Sequence, residues 1–300
     1  MTKSFTPLSV ACLLAVASIA TASPVGATTG AAAGATIYAE NAGQAMVFNG
    51  SPEADNIKVD VAHTDGSRDW LYTVTDVVPI TPGLNCSRPD PADPNTATCL
   101  LTHPVDYYPT LLFALGDGVD RIDFSAADAS SSGLGVWATV SGGAGNDVLT
   151  ATGPEALYGD AGNDTLTDAF TYSYNDFPPR HQRGPYQTDI DGGDGNDIIR
   201  NARFALGDAG NDTMYGTEDP DWLDVLWGGT GNDTIYGLAG GDEILGNSGD
   251  DRLYGGSGDD GISGGPGNDT IYGNSGDDSI RGGPGRDVLS GGPGKNIVKQ

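Results

Sequence analysis

Basic residues are scarce: 14 Lys+Arg stand against 41 Asp+Glu in 300 residues, a formal net charge of -27. A surface so poor in positive charge repels phosphate, which excludes a nucleic-acid binder. Glutamate is nearly missing too, with 5 Glu beside 36 Asp. Acidic helical surfaces favour Glu, whereas Asp prefers turns and caps, so a helical bundle is excluded. Leu, Ile, Val and Phe number 59, which with this charge is the composition of a disordered chain. The three histidines, His63, His103 and His181, are scattered. There is no H-E-x-x-H helix, G-x-S-x-G elbow or phosphate-cradling P-loop, so the sequence is read as non-enzymatic. After the N-terminus no apolar run approaches the ~18 residues of a membrane span. What is abundant is glycine, 47 residues, together with the Asp surplus. Either the chain is disordered, or it is a turn-rich fold whose carboxylates meet a cation.

Residues 1–27 read as a secretory signal peptide. Lys3 gives a positive start, an apolar run spans 8–20, and small residues follow. Cleavage fits after Ala22 or after Ala27, the latter favoured by the preceding Pro24. The expectation is a secreted, extracellular protein. Processing removes Cys12 and leaves Cys86 and Cys99, an even count that in an exported chain argues for one structural disulfide. By chain entropy such a bridge contributes roughly 3 kcal/mol.

From Gly228 the chain divides every nine residues: GGTGNDTIY, GLAGGDEIL, GNSGDDRLY, GGSGDDGIS, GGPGNDTIY, GNSGDDSIR, GGPGRDVLS, GGPGKNIVK. Position 1 is Gly throughout (Gly228, Gly237, Gly246, Gly255, Gly264, Gly273 and Gly282 in the first seven units). So is position 4 (Gly231, Gly240, Gly249, Gly258, Gly267, Gly276 and Gly285). Position 6 is Asp in those seven units: Asp233, Asp242, Asp251, Asp260, Asp269, Asp278 and Asp287. Position 8 is always aliphatic. Each unit therefore reads as a Gly-rich turn plus a three-residue strand with one inward side chain, too short to stand without stacked neighbours. Two units close a coil of eighteen residues. Tyr236, Tyr254 and Tyr272, eighteen apart at position 9, mark one face of it. Upstream, Asp147, Asp164, Asp197 and Asp212 hold position 6 of units at 142–150, 159–167, 192–200 and 207–215, with degenerate traces at 115–123 and 50–58.

The units resemble the RTX, or haemolysin-type, calcium-binding nonapeptide G-G-x-G-x-D-x-U-x. The resemblance implies an all-β fold, a right-handed parallel β-roll. It also implies Ca2+ held between stacked turns by glycine-loop carbonyls and position-6 carboxylates, the oxygen mixture that calcium takes. Pairs eighteen apart are Asp233/Asp251, Asp242/Asp260, Asp251/Asp269, Asp260/Asp278 and Asp269/Asp287, about five sites in two rows. Asn296 opposite Asp278 would weaken a sixth. Upstream, insertions disturb the spacing. The N-terminal part is similar to small exported actinobacterial proteins of this type.

The expected organisation is a signal peptide (1–27), an irregular β region with the disulfide (28–115), interrupted repeats (116–227) and a regular β-roll (228–300). Two insertions break the repeats. That at 168–191 carries Phe170, Tyr172, Tyr174, Phe177, Arg180, His181, Arg183 and Tyr186, and that at 216–227 carries Trp222 and Trp227. Two function classes follow: a calcium-folded structural module, and a calcium-dependent adhesin that binds envelope glycan or protein through these insertions.

Overall fold

A three-residue strand with one aliphatic side chain gains stability only by repetition, and repetition organises the molecule. The computed structural model describes residues 34–40, 45–63, 69–102, 110–125, 137–151, 155–168 and 189–300. The signal segment and most of the first insertion lie outside these. Among the described residues there is no helix, and the strands form two sheets of 13 strands each. From Thr110 onward the chain alternates between the sheets, so each coil adds one strand to each of them. From Trp137 onward every pairing is parallel, as a solenoid demands.

Register follows the repeat. In the regular array Thr234, Ile235 and Tyr236 lie against Arg252, Leu253 and Tyr254, which lie in turn against Thr270, Ile271 and Tyr272. The position-8 side chains point inward: Ile235, Leu253 and Ile271 from one sheet, Leu226, Ile244, Ile262 and Ile280 from the other, all buried. Each contributes about 1.5–3 kcal/mol by leaving water. The core is thus a narrow double file. At its C-terminal end Val288, Ile297 and Val298 are exposed.

The N-terminal part thickens this core and changes the pairing. Strands Asn56–His63, Asp69–Thr75, Thr96–Thr102 and Cys86–Ser87 pair antiparallel in one sheet, and Ala35–Glu40 pairs antiparallel with Ala45–Asn49 in the other. Large side chains fill the space between, with Phe48 against Phe113 at 5.8 Å between ring centres. Cys86 and Cys99 face each other across a strand pair and form the disulfide. Ala45–Asn49 and Asn56–His63 then pair in parallel with Thr110–Ala114 and Arg121–Ser125. The degenerate units at 50–58 and 115–123 are therefore the first two turns of the solenoid.

Candidate metal centre

The turn that links the two sheets is built from its glycines. At position 1 a Cβ on Gly228 would collide with Asp233 Oδ2 and lie 2.8 Å from the Gly246 carbonyl oxygen of the next coil. A carboxylate and a carbonyl oxygen thus converge on space that only glycine leaves open. At position 4 Gly231 has φ +126, and a Cβ there would overlap the Gly210 carbonyl of the preceding coil. In the regular nonapeptides, the units at 50–58 and 216–227 apart, position 2 is left-handed as well, and where it is not Gly it is Asp160, Asp208, Asn247 or Asn274, with φ between 66 and 71, or Leu238 at 76. Asn and Asp tolerate this conformation; leucine does so with strain.

Each position-6 Asp is tied to the next. The Asp233 N–H donates to Asp251 Oδ1 at 2.8 Å, and the Asp233 carbonyl accepts the Arg252 N–H at 2.8 Å. Asp251 repeats the arrangement with Asp269, and Asp269 with Asp287. On the opposite edge Asp242 donates to Asp260, Asp260 to Asp278, and Asp278 to Asn296. All the proposed partners eighteen apart are therefore neighbours.

The row continues upstream despite the insertions. Asp147 donates to Asp164 (17 residues on), Asp164 to Asp197 (33), Asp197 to Asp212 (15) and Asp212 to Asp233 (21). Coil length varies and the turns stay in register, because extra residues leave the stack as loops. Three further acids, which the nonapeptide alone does not select, join the rows. Asp55 donates to Asp120 and Asp120 to Asp147, each at 2.7 Å, while Asp224 donates to Asp242 at 3.0 Å. The signal for Asp55 and Asp120 was position 6 of the degenerate units. Asp224 was hidden because 216–227 is a nonapeptide enlarged by three residues. A Cβ on Gly216 would lie 2.5 Å from Asp224 Oδ2, as at any position 1, and Leu226 is its core residue.

Outside these rows runs a second ladder, long on one edge and continued on the other by Asp277 N–H to Asp259 Oδ1 and Lys295 N–H to Asp277 Oδ1. Asn163 N–H donates to Asn146 Oδ1, Asn196 to Asn163, Asn211 to Asn196, Asn232 to Asn211, Asp250 to Asn232 and Asn268 to Asp250. Position 5 is thus a side-chain-to-backbone splint, which accounts for the recurring Asn-Asp pairs.

The electrostatics of the inner rows are unfavourable as they stand. From Asp120 to Asp278 the row residues are 2% exposed or less. Oδ2 has no hydrogen-bond partner in Asp120, Asp147, Asp164, Asp197, Asp212, Asp233, Asp242, Asp251, Asp260, Asp269 or Asp278. Burial, with neighbouring aspartates adding to it, pushes the carboxyl pKa of Asp120, Asp164, Asp212, Asp242 and Asp251 up to about 7. A buried carboxylate oxygen without a partner is costly, and a column of them calls for cations. Among the described residues no three His, Cys, Asp or Glu side chains gather as a metal-binding group. A cation between these turns would have to draw its remaining oxygens from backbone carbonyls, a mixture that suits hard Ca2+ better than zinc.

Among the described residues the insertions give no comparable site. Of the first, residues 169–188, with all its named aromatic, Arg and His residues, lie outside the described residues. In the second, Trp222 is covered by the Arg203 guanidinium at 3.8 Å and Trp227 packs on Phe204 at 5.9 Å.

Comparison with known families agrees with this geometry. Residues 139–166, 206–225, 227–262 and 263–298 match the RTX calcium-binding nonapeptide repeat, in four copies. No curated protein matches the chain.

Proposed function

Because the chain carries RTX calcium-binding repeats, we propose that it is an extracellular, non-enzymatic module whose β-roll orders on taking up Ca2+ between stacked turns. The observation that carries this reading is the column of buried Oδ2 atoms without partners. The metal ligands are Asp233, Asp242, Asp251, Asp260, Asp269, Asp278 and Asp287, about five sites in 228–300, with Asp147, Asp164, Asp197 and Asp212 upstream and the position-1 and position-4 glycine loops supplying carbonyls. Bound Ca2+ supplies the positive charge that these carboxylates lack, while the chain itself fixes their spacing through the N–H to Oδ1 bonds. The N-terminal apolar segment and the Cys86–Cys99 bridge support secretion. An extracellular site of this kind works at ~10⁻⁴–10⁻³ M calcium, so ordering follows arrival in a calcium-rich outside.

The test is a calcium titration of the EDTA-stripped protein followed by far-UV circular dichroism and hydrodynamic radius. A coil-like, expanded chain becoming β-rich and compact by millimolar calcium is expected. A spectrum that is the same in EDTA and in calcium would overturn the proposal. Adhesion through the insertions draws no support from 216–227, whose tryptophans pack on the protein's own Arg203 and Phe204.

A further inference from the structure

The inner row does not stop where the recognisable repeats do. The matched stretches begin at residue 139, yet the turn at 115–120 has the same construction. Gly116 and Gly118 have φ +105 and +140, and their carbonyls meet the places where Gly143 and Gly145 would carry a Cβ. The Gly118 N–H donates to the Ala144 carbonyl at 2.8 Å, just as the Gly231 N–H donates to Ser248 at 2.8 Å. The Asp120 N–H donates to Asp147 Oδ1 at 2.7 Å, and the Asp120 carbonyl accepts the Val148 N–H at 2.8 Å. Asp120 and Asp147 are each 1% exposed, and Oδ2 of each is buried without a partner.

One coil further on the pattern ends. Both Asp55 carboxylate oxygens are occupied, by the Ser51 N–H at 2.8 Å and the Ser51 hydroxyl at 2.9 Å. The second row ends alike, where Thr217 donates its N–H and hydroxyl to Asp224. A hydroxyl and an amide stand there in place of a cation.

We infer that Asp120 and the carbonyls of its 115–120 turn, outside the recognisable repeats, form a further Ca2+ site with Asp147 of the first repeat, and that the cation column ends there because Ser51 satisfies Asp55. The inference rests on the calcium reading of the repeats.

The experiment is calcium stoichiometry by equilibrium dialysis against saturating calcium chloride, on the full chain and on Asp120→Asn, with Asp251→Asn as the comparison inside the repeats. Asparagine keeps the Oδ1 that accepts the Asp55 N–H. The expected result is loss of one bound ion per chain in D120N, with a dichroism spectrum at saturation matching the unmodified protein. Unchanged stoichiometry in D120N, alongside a loss in D251N, would overturn the site while leaving the repeat reading intact. No binding by the unmodified chain would remove the repeat reading itself. Should D120N fail to fold, hydrogen exchange on the unmodified chain decides. Amides 116–120 and 142–147 are expected to exchange at least tenfold more slowly in calcium, and no change at 116–120 while the repeats become protected would overturn the site.

Discussion

Glycine at position 4 is enforced by collision as much as by conformation. A methyl group at Gly231 would meet the Gly210 carbonyl at a φ that side chains rarely adopt. Strain at such a φ and overpacking each cost about 1–3 kcal/mol. Gly231→Ala is therefore expected to destabilise the calcium-loaded protein by roughly 2–5 kcal/mol, read from urea unfolding at saturating calcium. Leu238 presents the opposite case, an ordinary side chain held at φ 76 in a place where the other regular nonapeptides use Gly, Asn or Asp. Leu238→Asn should relieve that strain and stabilise by about 0.5–1 kcal/mol. An unchanged or lower unfolding midpoint would show that the leucine packs well enough to offset its backbone.

Between neighbouring strands the outward faces matter as well as the inward ones. Tyr215, Tyr236, Tyr254 and Tyr272 stack ring on ring, with centres 5.0, 4.9 and 5.5 Å apart, and the Arg200 guanidinium lies over Tyr215 at 4.9 Å. Each stacked pair is worth ~0.5–1.5 kcal/mol beyond burial. Tyr254→Ala, which breaks two pairs, is expected to cost about 1–3 kcal/mol, and Tyr254→Phe under about 0.5, in the same urea assay. The period of three of these tyrosines was legible in the sequence, as were the eighteen-residue coil, the all-β class and the neighbouring Asp pairs of the regular array. Tyr215 was not legible in that series because 21 residues separate it from Tyr236. Asp224 stands at the regular distance, eighteen before Asp242, and was hidden instead because three extra residues part it from Gly216 and break the nonapeptide. A fixed period finds only coils of fixed length, whereas the register is held by the turns and is indifferent to how long a loop leaves the stack. The Ser51 and Thr217 caps were illegible for another reason: a hydroxyl at position 2 acquires its meaning only from the carboxylate that it faces.

Across the whole molecule the buried carboxyls set the response to pH. Asp242 and Asp251 have their pKa raised from 3.8 to about 7, burial being the main cause. For a group raised in the folded state, its contribution to stability is fully present below the unfolded value and is lost as pH rises through the folded one. Without metal, then, the fold loses stability between about pH 4 and pH 7. In EDTA the protein should be more compact and more β-rich near pH 5.5 than near pH 7.5. In calcium the trend should reverse, because protons compete with the cation for the same oxygens, and the calcium midpoint should rise as pH falls. A chelated protein equally ordered at both pH values would contradict this. The Cys86–Cys99 bridge lies among the antiparallel N-terminal strands, and its replacement by Ala-Ala is expected to cost roughly 3 kcal/mol. That loss should fall on the N-terminal strands and leave the calcium stoichiometry of 228–300 unchanged.

The rows also have a direction. Each position-6 N–H from Asp55 to Asp269 donates to the carboxylate of the coil that follows it in sequence, as Asp233 does to Asp251 and Asp251 to Asp269. A chain emerging N-terminus first, from a ribosome or through an export pore, cannot close any rung until the next coil is out. Assembly must trail emergence by one full coil, and each rung that closes outside opposes the chain's return. The turn would then act as a pawl on an exported chain, besides the cation-holding role proposed for it.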